Sequence, residues 1–213
     1  MPEAATTPLA RSPVRPEPPV IVTAGWEVSG VRAHGELTLT DCTPLAKVQL
    51  RAPAAGKAAE LLGVPFGRAA RDQAGTLVAG SGPGEWLLLA PPGQAGEVAA
   101  RLGDVAGQAP GELVSVVDLT HGRALLRLTG SRATDVLSAV CSIDLSDAVT
   151  PDGSALRTSV AAVATDVIRD DVAGVRSYLL HCERSSGQYL FDAVGSAGRD
   201  WGIEADGFRL PGI

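Results

Sequence analysis

The sequence is short of the residues that most often carry metal, redox and nucleophilic chemistry. Among 213 residues it has three cysteines, Cys42, Cys141 and Cys182, and three histidines, His34, His121 and His181. Cysteines so few and so far apart exclude a disulfide-held scaffold, and as free thiols they are expected to be buried small hydrophobes. No Cys-x-x-Cys or His-x-x-x-His spacing occurs, and His181 and Cys182 would face opposite sides of a strand, so no metal site is expected. Excess positive charge is missing too. The formal charge is −6, the pI is near 5.0, and the arginines, which outnumber the lysines, are scattered. Nucleic-acid binding is excluded on that ground, because neutralising phosphates needs a basic face. No apolar run approaches the ~20 residues that cross a bilayer. The first nineteen residues, "MPEAATTPLARSPVRPEPP", hold six prolines and no apolar core of signal-peptide length. A cytoplasmic protein with no membrane or nucleic-acid partner is expected. Proline offers no N–H to a ladder, so residues 1–19 read as a disordered tail and residues 20–213 as the folded domain.

What the chain does have is a repeated unit. In "AKVQLRAPAAGKAAELLG" the residues Ala46, Val48, Leu50 and Ala52 alternate with Lys47, Gln49 and Arg51, the pattern of a half-buried strand. Ala55, Ala58, Ala59 and Leu62 then fall on one helical face, closed by Gly63. The same strand-then-helix order recurs three times. Strands at Trp86–Ala90, Ala124–Leu128 and Tyr178–Glu183 each precede a helical pattern. The first is Ala95, Val98, Ala99 and Leu102, stopped by Gly103; the second is Ala133, Val136, Leu137 and Val140; the third is Leu190, Ala193, Val194 and Ala197. Ser185 and Gln188 open the last helix at capping-box spacing. Further strands are expected at Thr76–Ala79, which turns through "GSGPGE" into Trp86, at Leu113–Val117, at Ser159–Ile168 and near Phe208–Leu210. The order is β-α-β-β-α-β twice over. It predicts an α+β fold of two ferredoxin-like halves, about residues 35–118 and 119–213, whose helices cover one face of an antiparallel sheet.

One stretch invites a chemical reading. "DLTHGRALLRLTGSRATDVLSAV", from Asp118 to Val140, joins an acid, a histidine and a Gly-Ser turn. In a strand-to-strand corner, Asp118 and Thr120 bond the turn's own backbone more often than they move protons. No Gly-x-Ser-x-Gly nucleophile elbow supplies a partner for an Asp118–His121 pair. "LTGSRA" is neither Gly-x-Gly-x-x-Gly nor a P-loop, so Ser131 is expected to cap a helix, with Asp135 at its positive end, rather than to cradle a phosphate. Trp86 after "SGPGE" is expected in the core.

The same residues resemble a known family. "GSGPGEWLLLAP" at 80–91 followed by "VVDLTHGRALLRLTGSRATDVLSAVCSIDLS" at 116–146 is similar to the γ subunit of heterotetrameric sarcosine oxidase. "SYLLHCERSSGQYLFDAVGSAGRDWG" at 177–202 fits the closing part of that family, and the likeness runs from about Gly35 onward. The central segment also resembles the Asp-x-Ser-His … Leu-x-Gly-Pro-x-Ala turn of the wider folate-binding aminomethyltransferases, the glycine-cleavage T-protein group. That group's folate-binding domain is built of ferredoxin-like pieces. The resemblance implies a non-catalytic subunit with a structural or assembly role. Its complex would demethylate sarcosine oxidatively to glycine and deliver formaldehyde or methylenetetrahydrofolate. The partners would be large flavin-bearing α and β subunits and a small δ subunit. FAD, FMN, NAD, tetrahydrofolate and zinc would lie on those subunits and none on this chain. T-proteins carry a Gly-Gly-Ile-x-Asp-Asp-Leu element whose aspartate handles the folate chemistry. Here the strand reads "VAAVATDVIRDD", with Asp166 nearby, no glycine pair, and Asp170 and Asp171 expected to be solvated in a turn. No catalytic, cofactor or metal residue is therefore assigned. A folate-dependent aminomethyl transferase using Asp166 or Asp118 as acid and base, or a folate-binding regulatory module, remains the competing reading.

Overall fold

The structure is a computed structural model, described here for residues 8–212. Two sheets packed face to face make its centre. The first has the spatial order Ala69–Arg71, Leu77–Gly82, Glu85–Ala90, Ala46–Arg51, Ser115–Asp118, with all neighbours antiparallel. The second runs Ala155–Val160, Val163–Arg169, Ser177–Glu183, Arg123–Thr129, Thr38–Asp41, Glu204–Asp206, antiparallel except for the last pair. The fold mixes helices and sheets, as α+β requires. Helices Lys57–Leu62 and Ala95–Gly107 cover the outer face of the first sheet, and Ala133–Ser138 and Gly187–Ala197 cover that of the second.

The strand "EWLLLA" shows why the sheets stack. Trp86, Leu88 and Ala90 point to the helices, while Leu87 and Leu89 point to the other sheet, where they meet Leu125, Ile168 and Leu179. A strand with both faces buried has no use for a polar row, so it reads as a continuous apolar run. Trp86 is buried as expected and its Nε1–H donates to the Val64 carbonyl at 2.7 Å. The hairpin through Pro83 and Gly84 is present.

Several expectations are corrected. Residues 8–19 are not disordered. Ala10–Arg11 pairs in parallel with Trp26–Ser29, which also pairs with Val20–Thr23, and Val14 is buried in the core under the second sheet. Proline removes a donor only at its own nitrogen, so Ala10, Arg11 and Val14 between the prolines can pair and pack. The part of that expectation covering residues 1–7 lies outside the described residues. The division at 118/119 does not separate the sheets, because Thr38–Asp41 is hydrogen-bonded to Arg123–Thr129. The strand expected at Ser159–Ile168 is a hairpin of Ala155–Val160 and Val163–Arg169, turning at Ala161 (φ 47°) and Ala162 (φ 65°). That turn normally announces itself by Asn-Gly, and alanine hid it. The second helix runs through Gly103 to Gly107. Ser131 does not cap: Arg132 holds the cap position without a side-chain bond. Ser185 lies inside a 3-10 turn, and Gln188 instead accepts the Arg15 N–H at 2.7 Å. The last strand is Glu204–Asp206, and Phe208 is buried between the sheets. No helix among the described residues is long and apolar enough to cross a membrane.

Candidate functional site

Residues Arg123, Leu125 and Arg127 share one face of their strand, the face that meets the first sheet. Leu125 fills the apolar middle, and a polar cluster forms on each side of it. Beyond Arg123 lies a pocket of about 150 Å³ lined by Gln49, Arg157, Asp166, His181 and neighbours. The register places Arg157 directly opposite Asp166, and Asp166 opposite His181. Arg157 Nε donates to Asp166 Oδ1 at 2.7 Å, and His181 Nδ1 lies 3.0 Å from Oδ2. Burial works to raise the Asp166 pKa, but the bonds from His181 and Arg157 outweigh it and hold the carboxyl below its ordinary value. Burial dominates at His181 and lowers its pKa against the pull of Asp166. The imidazole is therefore neutral, and beside an ionised carboxylate its proton sits on Nδ1. Nε2 is then a buried acceptor, and it has no partner among the described residues. An oriented Asp–His pair of this kind can serve as a base, but among the described residues no hydroxyl or thiol lies within hydrogen-bond reach of Nε2. The second guanidinium edge of Arg157 meets Glu85 at 3.2 Å, and Arg51 meets the same carboxylate at 3.1 Å.

On the other side of Leu125, Arg127 and Arg71 share the Asp170 carboxylate at 2.8 and 3.0 Å. Asp170 and Asp171 were expected to be solvated. Asp170 is instead buried, and Asp171 is held by Arg169 at 2.9 Å and accepts the Ser177 N–H at 3.2 Å. The reason is the second sheet, which brings Arg127 and Arg169 beside a turn that looks like plain loop in sequence. A cleft of about 890 Å³ opens next to Arg127, floored by Thr38, Thr40 and Thr129.

In the corner that looked chemical, Asp118 and Thr120 bond nearby backbone N–H groups. Asp118 Oδ1 accepts the Thr120 N–H at 2.8 Å, and Thr120 Oγ1 accepts the Lys47 N–H at 3.1 Å. His121 is exposed, stacks 4.9 Å from the ring of Trp26, and does not pair with Asp118. Gly130 is required by close approach: a Cβ there would sit 2.4 Å from the Glu36 carbonyl oxygen. The three cysteines are free and buried as expected, and burial pushes the Cys42 thiol up to about 12 and that of Cys182 to about 11. No group of three or more metal-binding side chains occurs among the described residues. Sequence reasoning missed Lys47. Its alternation with Val48 marks a polar face, yet that face meets the second sheet and the side chain is fully buried. Nζ donates to the carbonyls of Thr43 and Leu45 at 2.7 and 2.8 Å, and burial brings its pKa down to about 7.

This arrangement matches known proteins at two levels. A family model described as the GCVT N-terminal domain matches residues 74–210. The glycine cleavage system aminomethyltransferase T from Bartonella henselae superposes with a TM-score of 0.64, covering 93% of this chain and 60% of that one, and at 16% identity it shows the fold alone. The sarcosine oxidase subunit gamma of Corynebacterium sp. (strain U-96) is 32% identical over 158 residues, 70% of this chain and 75% of the relative. That of Arthrobacter sp is 37% identical over 91 residues, 42% of this chain and 41% of the relative. A heterotetrameric sarcosine oxidase from Corynebacterium sp. U-96, in complex with pyrrole 2-carboxylate, superposes with a TM-score of 0.67 at 27% identity, covering 80% of this chain and 88% of that one. The chain belongs to the GCVT N-terminal domain family and, within it, to the sarcosine oxidase gamma subunits.

Proposed function

We propose that this chain is a non-catalytic γ-type subunit of a heterotetrameric sarcosine oxidase with a structural and assembly role. The complex would demethylate sarcosine oxidatively to glycine and deliver the methyl carbon as formaldehyde or methylenetetrahydrofolate. FAD, FMN, NAD, tetrahydrofolate and zinc belong, in this reading, to the α, β and δ partners. The observation that carries it is 32% identity sustained through 70% of this chain and 75% of a sarcosine oxidase gamma subunit. The spent carboxylates support it: Asp118 is used by its own turn, and Asp166 by Arg157 and His181. We read the two sheets with their helices as two ferredoxin-like βαββαβ halves. The first sheet supports this, with its second, third, first and fourth core strands side by side. The second follows the same order once Thr38–Asp41 and the edge strand Ala155–Val160 are set aside.

Co-expression with the large flavin-bearing subunits tests the role. The chain is expected to co-elute with them on gel filtration, and Asp166→Asn or Asp118→Asn in the complex should keep sarcosine turnover within about twofold. A chain that elutes alone, or that turns over sarcosine by itself, overturns the proposal. The family match over 74–210 favours a second reading, a folate-dependent aminomethyl transferase or folate-binding regulatory module. Calorimetry with tetrahydrofolate separates the two: tight stoichiometric binding lost in Asp166→Ala favours the second.

A further inference from the structure

The cleft beside Arg127 carries a charge that the described residues do not balance. Arg71 and Arg127 present two guanidiniums to the single carboxylate of Asp170. The other charged groups on the cleft are matched: Arg209 lies 3.1 Å from Asp206, and Asp171 lies 2.9 Å from Arg169. An uncompensated positive charge thus stands at the floor of a cleft in a chain of net charge −6. Arg127 is 8% exposed, and its Nη atoms donate to Ser177 Oγ and Asp170 at 2.8 Å. Arg71 is the more open of the two, with 40% of its side chain exposed.

The rest of the cleft suits an organic molecule better than a bare ion. Its floor is a row of hydroxyls, with Thr40 opposite Arg127 and Thr38 opposite Thr129 across the strand pair. Its rim includes Val172 and Leu210, both exposed, and Phe208. A volume of about 890 Å³, apolar walls and a few convergent polar groups are the usual makeup of a small-molecule site. An excess of one charge matches a monoanion and not a phosphate dianion, and a guanidinium fork matches a carboxylate.

We propose that this cleft binds a small organic monocarboxylate, its carboxylate over Arg127 and Arg71 and its apolar body against Val172 and Leu210. The site is separate from the Asp166–His181 pocket, and the inference stands whether or not the chain acts as an assembly subunit. The test uses the full chain, labelled with ¹⁵N and titrated with naphthalene-2-carboxylate and with its neutral amide. The acid is expected to give saturable shifts at the Thr38, Thr40 and Thr129 amides, with the amide about tenfold weaker or more. Replacing Arg127 risks the fold, so Arg71→Gln carries the test, since that side chain is already 40% exposed. It should weaken the acid about tenfold and leave the amide unchanged. No saturable shift at those amides, equal binding of acid and amide, or indifference to Arg71→Gln would each overturn the proposal.

Discussion

The two polar clusters that flank Leu125 use the same residue types for opposite electrostatic ends. In the Asp166 cluster, Arg157 can turn to water, because its side chain is 47% exposed, and His181 is neutral. In the Asp170 cluster, Arg127 has about a tenth of its side chain exposed and no other carboxylate within salt-bridge distance among the described residues. One cluster therefore tolerates loss of its acid, and the other does not. What separates them is where each guanidinium can go once its partner is gone, and counting ion pairs would not reveal it.

The largest expected effect follows directly. Asp170→Asn leaves two guanidiniums facing each other with one of them buried, and should cost about 3–5 kcal/mol in denaturant unfolding. Asp166→Asn lets Arg157 swing into solvent and should cost about 1–2 kcal/mol, the range of one lost charged hydrogen bond at a half-open site. Equal costs for the two variants would break the comparison.

Most of the architecture could be read from the sequence because apolar periodicity is a local signal. The strand-then-helix units at Ala46, Trp86, Ala124 and Tyr178 all stand, and so do the hairpin before Trp86 and the turn role of Asp118. The polar clusters were not legible, because they are made by stacking one sheet on another. Lys47 looked like a solvent-facing strand residue and Asp170 like loop charge, and each is buried only because a strand more than 70 residues away in sequence, or an arginine brought in by it, lies across from it. Nothing within a strand's own pattern reports what its polar face will meet.

Lys47 lets pH sharpen the comparison, since its charge is felt by His181 on one side and by Cys42 on the other. The folded lysine loses its proton near pH 7, whereas the unfolded one keeps it to about 10.5. From pH 7 to about 8.5 the unfolded chain holds more protons, so stability should rise with pH, by at most about 1.4 kcal/mol per unit. Above that the unfolded thiols, ordinarily near 9.0, ionise while the buried Cys42 and Cys182 do not, which opposes the rise. Lys47→Met should flatten the lower slope in urea titrations at about pH 7 and 8.5. His181 acts at the other end of the scale. Its folded pKa is depressed, so below about pH 6.5 the unfolded chain takes up a proton that the folded one resists, and stability falls with acid. Asp166, also depressed, adds a further loss below about pH 3.8. His181→Gln should remove the first loss and shrink the second, because the His181 bond is part of what holds the Asp166 carboxyl down. A His181→Gln curve that falls between about pH 7 and 5 as steeply as the wild type's would show that His181 titrates as freely in the fold as out of it.

The smallest effect concerns how the Asp166 cluster is held in register. Ala161 and Ala162 take left-handed backbone angles in the two-residue turn whose strands place Arg157 opposite Asp166. A Cβ in that region costs about 1 kcal/mol, and Asn-Gly adopts the same turn without it. The double variant Ala161→Asn, Ala162→Gly should therefore stabilise the chain by about 1 kcal/mol, less the entropy that glycine adds to the unfolded state. Because the turn touches only one cluster, Asp170→Asn should cost the same in this background as in the wild type. If the two changes couple by much more than about 0.5 kcal/mol, the clusters on either side of Leu125 are not independent, and the contrast between them must be redrawn as a property of one continuous network.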